Sequence, residues 1–78
     1  MVKKELCLVV SFNKTIDAMA VEDYCIKNNV AGRLIPLPKE ISAGCGLAWK
    51  CDVQEKENIT KVLQNLSIKY DKMSEIVI

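Results

Sequence analysis

Four cysteines and no histidine limit the chemistry this chain can perform. Without imidazole there is no ordinary general base near neutral pH, no Cys–His nucleophile pair, and none of the commonest metal ligand. Thiols, amines and carboxylates remain. Among the thiols Cys45 stands apart, because it lies between Gly44 and Gly46 in the stretch PLPKEISAGCGLAWKC, residues 36 to 51, which also holds both prolines. Small neighbours at Ser42 and Ala43 leave a thiol open. Glycines let successive N–H groups converge on one point, and such donors, with Lys39 close in sequence, favour the thiolate that is the nucleophilic form of cysteine. The competing reading is a tight strand entry that holds a cysteine by accident. Placement in a loop of small residues favours the functional thiol, while Lys39-Glu40 fits a solvated charge pair as well as a site.

Cys51 follows six positions later and invites pairing with Cys45. A regular strand between them advances about 3.3 Å per residue and separates them by roughly 20 Å, whereas a disulfide needs Cα atoms within about 7 Å. The spacing is also wrong for the short cysteine knuckles of zinc sites. No metal site and no cofactor are expected. Cys51 reads as core filler opposite Cys7, and Cys25 as core on a helical stripe with Ala18 and Val21. Whether Cys51 does more than pack stays open.

The elements that would position Cys45 follow from periodicity. Leu6 to Phe12 is a continuous apolar run of strand formers. Ser11, Asn13 and Thr15 offer caps to a helix running to about Asn28, which Asn29 and Gly32 end. Residues 33 to 37 form a short strand whose Pro36 belongs at a sheet edge, and a loop follows. From Gly46 to Val53 the alternation puts Leu47, Trp49, Cys51 and Val53 on one face and Ala48, Lys50 and Asp52 on the other. Ile59, Val62, Leu63 and Leu66 mark an amphipathic helix, with Asp52 and Glu55 spaced as a capping box. Residues 73 to 78 supply a last strand.

The order β-α-β-β-α-β predicts a ferredoxin-like α+β sandwich, residues 1–78 forming one domain with a four-stranded antiparallel sheet and two helices on one face. That topology sets the end of the first strand, the start of the first helix and the loop between the second and third strands at one end of the sheet. Cys45 is therefore expected near Ser11 to Thr15 and the positive end of the first helix dipole. Glu22 lies at the centre of an arc with Thr15, Ala18, Met19, Cys25 and Ile26, so one projection points it toward the sheet; the favoured reading is that its stem extends to water or that the core stripe is rotated toward Val21. Trp49 belongs to the core. The sheet face without helices needs cover, and Leu8, Val10 and Ile76 are candidates to supply it in a homodimer.

With 11 basic and 10 acidic residues among 78, half of all residues hydrophobic, the chain has a core and no electrostatic footprint for nucleic acid. No run has transmembrane length and no secretory segment opens the sequence, so no membrane role is expected, and a cytoplasmic setting with reduced thiols is.

The stretch IPLPKEISAGCGLA resembles the signature of a family of small bacterial and archaeal selenium/sulfur carrier-like proteins, and SFNKTIDAMAVE is similar to that family's other recurrent stretch at Phe12, Thr15, Ala18 and Glu22. The likeness covers almost the whole chain. It implies a carrier rather than a turnover enzyme: Cys45 accepts and hands on sulfur or selenium as a persulfide-type species, exchanging it with donor and acceptor proteins. Pro38, Lys39, Glu40, Ser42, Gly44 and Gly46 would form the loop of that thiol, with Thr15 and Glu22 as supporting groups. Cys51 has no counterpart in the signature. Two other classes compete. A regulatory module that binds a ligand or partner would need the loop's conformation and not its sulfur. A metal-handling domain would need a close cysteine pair after the first strand, which SFNKT lacks, or two Cys45 thiols brought together in a dimer.

Overall fold

The computed structural model describes residues 5–37 and 46–77. Its elements are strand β1 (Leu6–Phe12), helix α1 (Thr15–Lys27), strands β2 (Arg33–Pro36) and β3 (Leu47–Asp52), a 3₁₀ turn at Val53–Glu55, helix α2 (Lys56–Asn65) and strand β4 (Tyr70–Val77). The strands form one sheet in the order β2-β3-β1-β4. β1 runs antiparallel to both β3 and β4, and β3 antiparallel to β2, so β1 and β2 are parallel with β3 between them. This is the ferredoxin-like α+β sandwich. Pro36 closes β2, an edge strand, where its missing N–H costs no ladder bond.

The main core lies between the sheet and the helices. Leu8, Val10 and Phe12 of β1, Trp49 and Cys51 of β3, Ala18, Val21 and Cys25 of α1, and Ile59, Val62 and Leu63 of α2 meet there. Trp49, 1% exposed, is a core residue as its alternation implies. Its Nε1–H has no hydrogen-bond partner among the described residues, which costs about 1–3 kcal/mol. Burying an indole removes 150–250 Å² from water, worth about 4–6 kcal/mol, so the ring is still better inside.

The faces of β1 correct the expectation for the open side of the sheet. Leu8 and Val10 point to the helices, and the other face carries Val9 and Ala48, flanked by Ile35, Leu37 and Ile76. Of the residues expected there, only Ile76 takes part. The same one-residue slip changes the partner of Cys51, which stands opposite Leu8, while Cys7 stands opposite Asp52. Cys7 and Cys51 therefore belong to opposite faces. In an uninterrupted apolar strand the pattern carries no parity, and a register error of one residue exchanges the faces.

Helix boundaries also differ in their chemistry. At the N-cap of α1 stands Lys14 with no side-chain cap, and neither Ser11, Asn13 nor Thr15 provides one. Ser11 is instead fully buried in β1, where its Oγ accepts from the Lys72 N–H at 3.1 Å and donates to the Lys72 carbonyl at 3.4 Å. It sits where the ladder slips, since Ser11 pairs with Lys72 but Phe12 pairs with Tyr70, leaving Asp71 as a bulge. Both helices end in a left-handed residue, Asn29 (φ 56°) and Ser67 (φ 54°). In each case the next N–H returns to a carbonyl five residues back, Val30 to Cys25 and Ile68 to Leu63. Asp52 caps the 3₁₀ turn by accepting from the Gln54 N–H at 3.3 Å, while Glu55 accepts from the Asn58 side chain at 2.6 Å, so the capping box does not close. β4 begins at Tyr70, three residues before the expected start.

Candidate functional site

Pro38, Lys39, Glu40, Ser42, Gly44 and Cys45 lie outside the described residues, so the site is built from its two anchors and its floor. Leu37 and Gly46 are the anchors. The Leu37 N–H donates to the Gly46 carbonyl at 2.9 Å, continuing the β2–β3 ladder one pair beyond Pro36 and Leu47. Gly46 has φ +74°, and a Cβ there would meet no described atom within 4 Å. A positive φ is a backbone angle that glycine adopts without steric cost.

The sheet register fixes where these anchors stand. Ser11 is opposite Ala48, so the start of β3 lies beside the end of β1, from which Asn13 and Lys14 lead into α1. Leu37, Gly46 and the N-terminus of α1 thus share one end of the sheet, as the topology predicts. That end also has a hollow of about 350 Å³ between Asn13, Lys14 and Asp17 on one side and Ser67 and Lys69 on the other. Thr15 is exposed in the first turn of α1. Glu22 is half-buried two turns further on, about 10 Å along the helix axis. The buried stripe of α1 is Ala18, Val21 and Cys25, while Ile16, Met19 and Ile26 are exposed. The core is therefore rotated toward Val21, and Glu22 is at its margin.

The other thiols are inside. Cys25 is 1% exposed and Cys51 is 5% exposed, both in the core between sheet and helices. Burial pushes the Cys25 thiol up to about 11. Burial first, then the negative charge of Glu55 and smaller contributions from Cys25, Asp52 and Cys7, pushes Cys51 up to about 12. Both stay protonated near neutral pH. Cys7 is buried on the opposite face and its Sγ donates to the Glu5 carbonyl at 3.4 Å. Cys51 lies at the far end of β3, roughly 16 Å along the strand from Gly46. Cys7, Cys25 and Cys51 are free thiols. No group of three or more Cys, Asp or Glu able to hold a metal occurs among the described residues. No described helix is long and apolar enough to cross a membrane.

The described residues form a ferredoxin-like α+β sandwich in which Leu37 and Gly46 close the β2–β3 connection at the end of the sheet where α1 begins. The family described as "Putative Se/S carrier protein-like" matches residues 7–75, and the chain belongs to it. No curated protein and no solved structure matches the chain.

Proposed function

We propose that the protein carries sulfur or selenium on Cys45. The observation that carries this reading is the state of the remaining cysteines: Cys7, Cys25 and Cys51 are all buried, and burial holds two of them protonated. Membership of the selenium/sulfur carrier-like family supports the cargo. The Leu37–Gly46 clasp beside the start of α1 supports the location, because a helix N-terminus favours a nearby anion by about 0.3–1 kcal/mol.

In the proposed cycle Cys45 loses its proton to solvent, and its thiolate attacks the outer sulfur of a donor persulfide. A new S–S bond forms as the donor's S–S bond breaks. The donor leaves as a thiolate and takes up a proton, and Cys45 holds the persulfide. An acceptor thiolate then attacks the outer sulfur and Cys45 leaves as the thiolate. Each step exchanges one thiol for one persulfide, so no external oxidant or reductant enters. With selenium the outer atom is Se and the same bonds are exchanged. In this reading Pro38, Lys39, Glu40, Ser42, Gly44 and Gly46 shape the loop, and Thr15 and Glu22 of α1 are its supporting groups. Donor and acceptor proteins are the partners.

Competitive alkylation of the folded chain tests the assignment. A thiol raised from 9.0 to about 11 has roughly 100-fold less thiolate at neutral pH than an unshifted one. Cys45 is expected to be modified at least that much faster than Cys25, faster still than Cys51, and ahead of Cys7. Modification of Cys7, Cys25 or Cys51 as fast as Cys45 would remove the basis for the reading.

A further inference from the structure

We propose that β4 is the contact through which two copies of this chain pair, edge to edge and antiparallel, about a two-fold axis at Ser74. The two sheet edges are unequal. β2 has four residues and ends in Pro36, a short edge that cannot offer a full ladder. β4 has eight residues and no proline. Its bulge at Asp71 leaves Lys72 to Val77 in regular register with β1.

The direction of each backbone group on β4 follows from Ser11. Both Lys72 backbone groups bond to Ser11 Oγ, so they point toward β1. Backbone groups alternate along a strand, which turns those of Ser74 and Ile76 the same way and those of Met73, Glu75 and Val77 outward from the sheet. A strand edge with outward N–H and C=O groups accepts one kind of occupant, another extended strand.

Charge separates the registers open to a second copy. A two-fold axis normal to the sheet pairs residues of the same face. Centred on Met73, it would bring the bulged Asp71 beside the partner's Glu75, and centred on Glu75 it would oppose two glutamates. Centred on Ser74, it pairs Met73 with the partner's Glu75, both outward-facing, and Lys72 with the partner's Ile76, with no like charges opposed. The same register carries the partner's Tyr70 to the end where Val77 and its ladder neighbour Leu6 lie. All three are exposed large hydrophobics, Val77 at 56%, so the pairing covers apolar surface at both ends of the shared ladder.

The inference stands independently of the thiol chemistry. Its test is sedimentation equilibrium of the full chain across a dilution series, with Glu75→Pro as the main variant. The Glu75 N–H points outward and is not used within the monomer, so proline is tolerated there and removes a donor from each copy. Wild type is expected at twice 8.7 kDa at high concentration. The loss of two donors is expected to weaken association about a hundred-fold in E75P, with an unchanged circular dichroism spectrum. Val77→Asp, which puts a charge on exposed apolar surface that the pairing would cover, is a second variant that should weaken pairing should E75P not fold. Amide exchange supplies a variant-free readout: the Met73 and Glu75 N–H groups should be protected at high concentration and exchange rapidly on dilution. A wild-type chain that stays at 8.7 kDa at every concentration, including one that instead takes a strand from another protein, would overturn the proposal. So would a dimer that E75P and V77D leave at full strength.

Discussion

Gly32→Ala is expected to destabilise the fold by about 3–5 kcal/mol, the sum of overpacking and of a side chain at an unfavourable backbone angle. Gly32 has φ +140°, and a Cβ there would lie 2.5 Å from Trp49 Nε1 and 2.6 and 2.7 Å from the next ring atoms. The ring cannot retreat, because it is 1% exposed and fills the core between sheet and helices. A small domain has a total stability of about 5–15 kcal/mol, and a 78-residue chain sits near the low end. Thermal unfolding should show a fall of roughly 15–30 °C in Tm. Gly46→Ala is the control: Gly46 also has positive φ, +74°, but nothing described lies within 4 Å of its added Cβ. It should cost only about 1–2 kcal/mol. Equal losses at the two positions would show that φ, and not the indole, sets the requirement at Gly32.

The second large effect is an alkaline limit on stability set by the buried thiols. Cys25 at about 11 and Cys51 at about 12 are both raised from 9.0. A raised thiol means that the folded chain holds a proton more tightly than the unfolded one. The resulting stability is fully present below about pH 9 and is lost as pH rises toward 11 and 12. Between those limits each thiol removes about 1.4 kcal/mol per pH unit. At pH 10.5 the two together cost roughly 4 kcal/mol, close to the whole stability of a small domain. Urea midpoints should therefore fall steeply from pH 9 to 10.5. In Cys25→Ala/Cys51→Ala they start lower, because two side chains leave the core, and decline less steeply. The tyrosines and lysines titrate in both proteins and cancel in the difference. Parallel slopes would show that the thiols do not set the limit.

Where polar and apolar residues alternate, the fold was legible before the structure. β3 is the clearest case: Trp49 and Cys51 went to the helices and Ala48 and Lys50 to the other face, as their spacing required. β1 was legible as a strand but not in its faces, because Leu6 to Val10 contains no polar residue to fix parity. That ambiguity produced both the Cys7–Cys51 pairing and the placement of Leu8 and Val10 on the open face. α1 was blurred differently. Ile16, Met19 and Ile26 are exposed although apolar, so the pattern admitted two centres, and the favoured one, through Ala18, Val21 and Cys25, is the buried stripe. Tyr70 to Lys72 carry the polarity of an edge strand and gave no signal of belonging to β4. Asn29 signalled its helix end, but Ser67 takes the left-handed position with a residue that ordinarily avoids it.

The candidate site divides the same way. The position of its anchors was readable from topology, because the β2–β3 connection must lie at the end where α1 begins, and the Leu37–Gly46 bond stands there. The chemistry proposed for it rests on residue types, a thiol between glycines in a chain without histidine. The family match covers residues 7–75 and includes the whole segment between the anchors. The inert state of Cys25 and Cys51 was only partly legible: their stripes implied burial, but the neighbouring charge of Glu55 that adds to the Cys51 shift belongs to tertiary structure.

The most direct measurement of the central claim is intact-mass spectrometry after the reduced chain meets a cysteine desulfurase and sulfur-labelled cysteine. The predicted result is one added labelled sulfur per chain, released by thiol reductant, mapped to Cys45 and absent from Cys45→Ser. Labelled sulfur on Cys7, Cys25 or Cys51 in place of Cys45, or a Cys45→Ser chain that loads as fully as wild type, would contradict it.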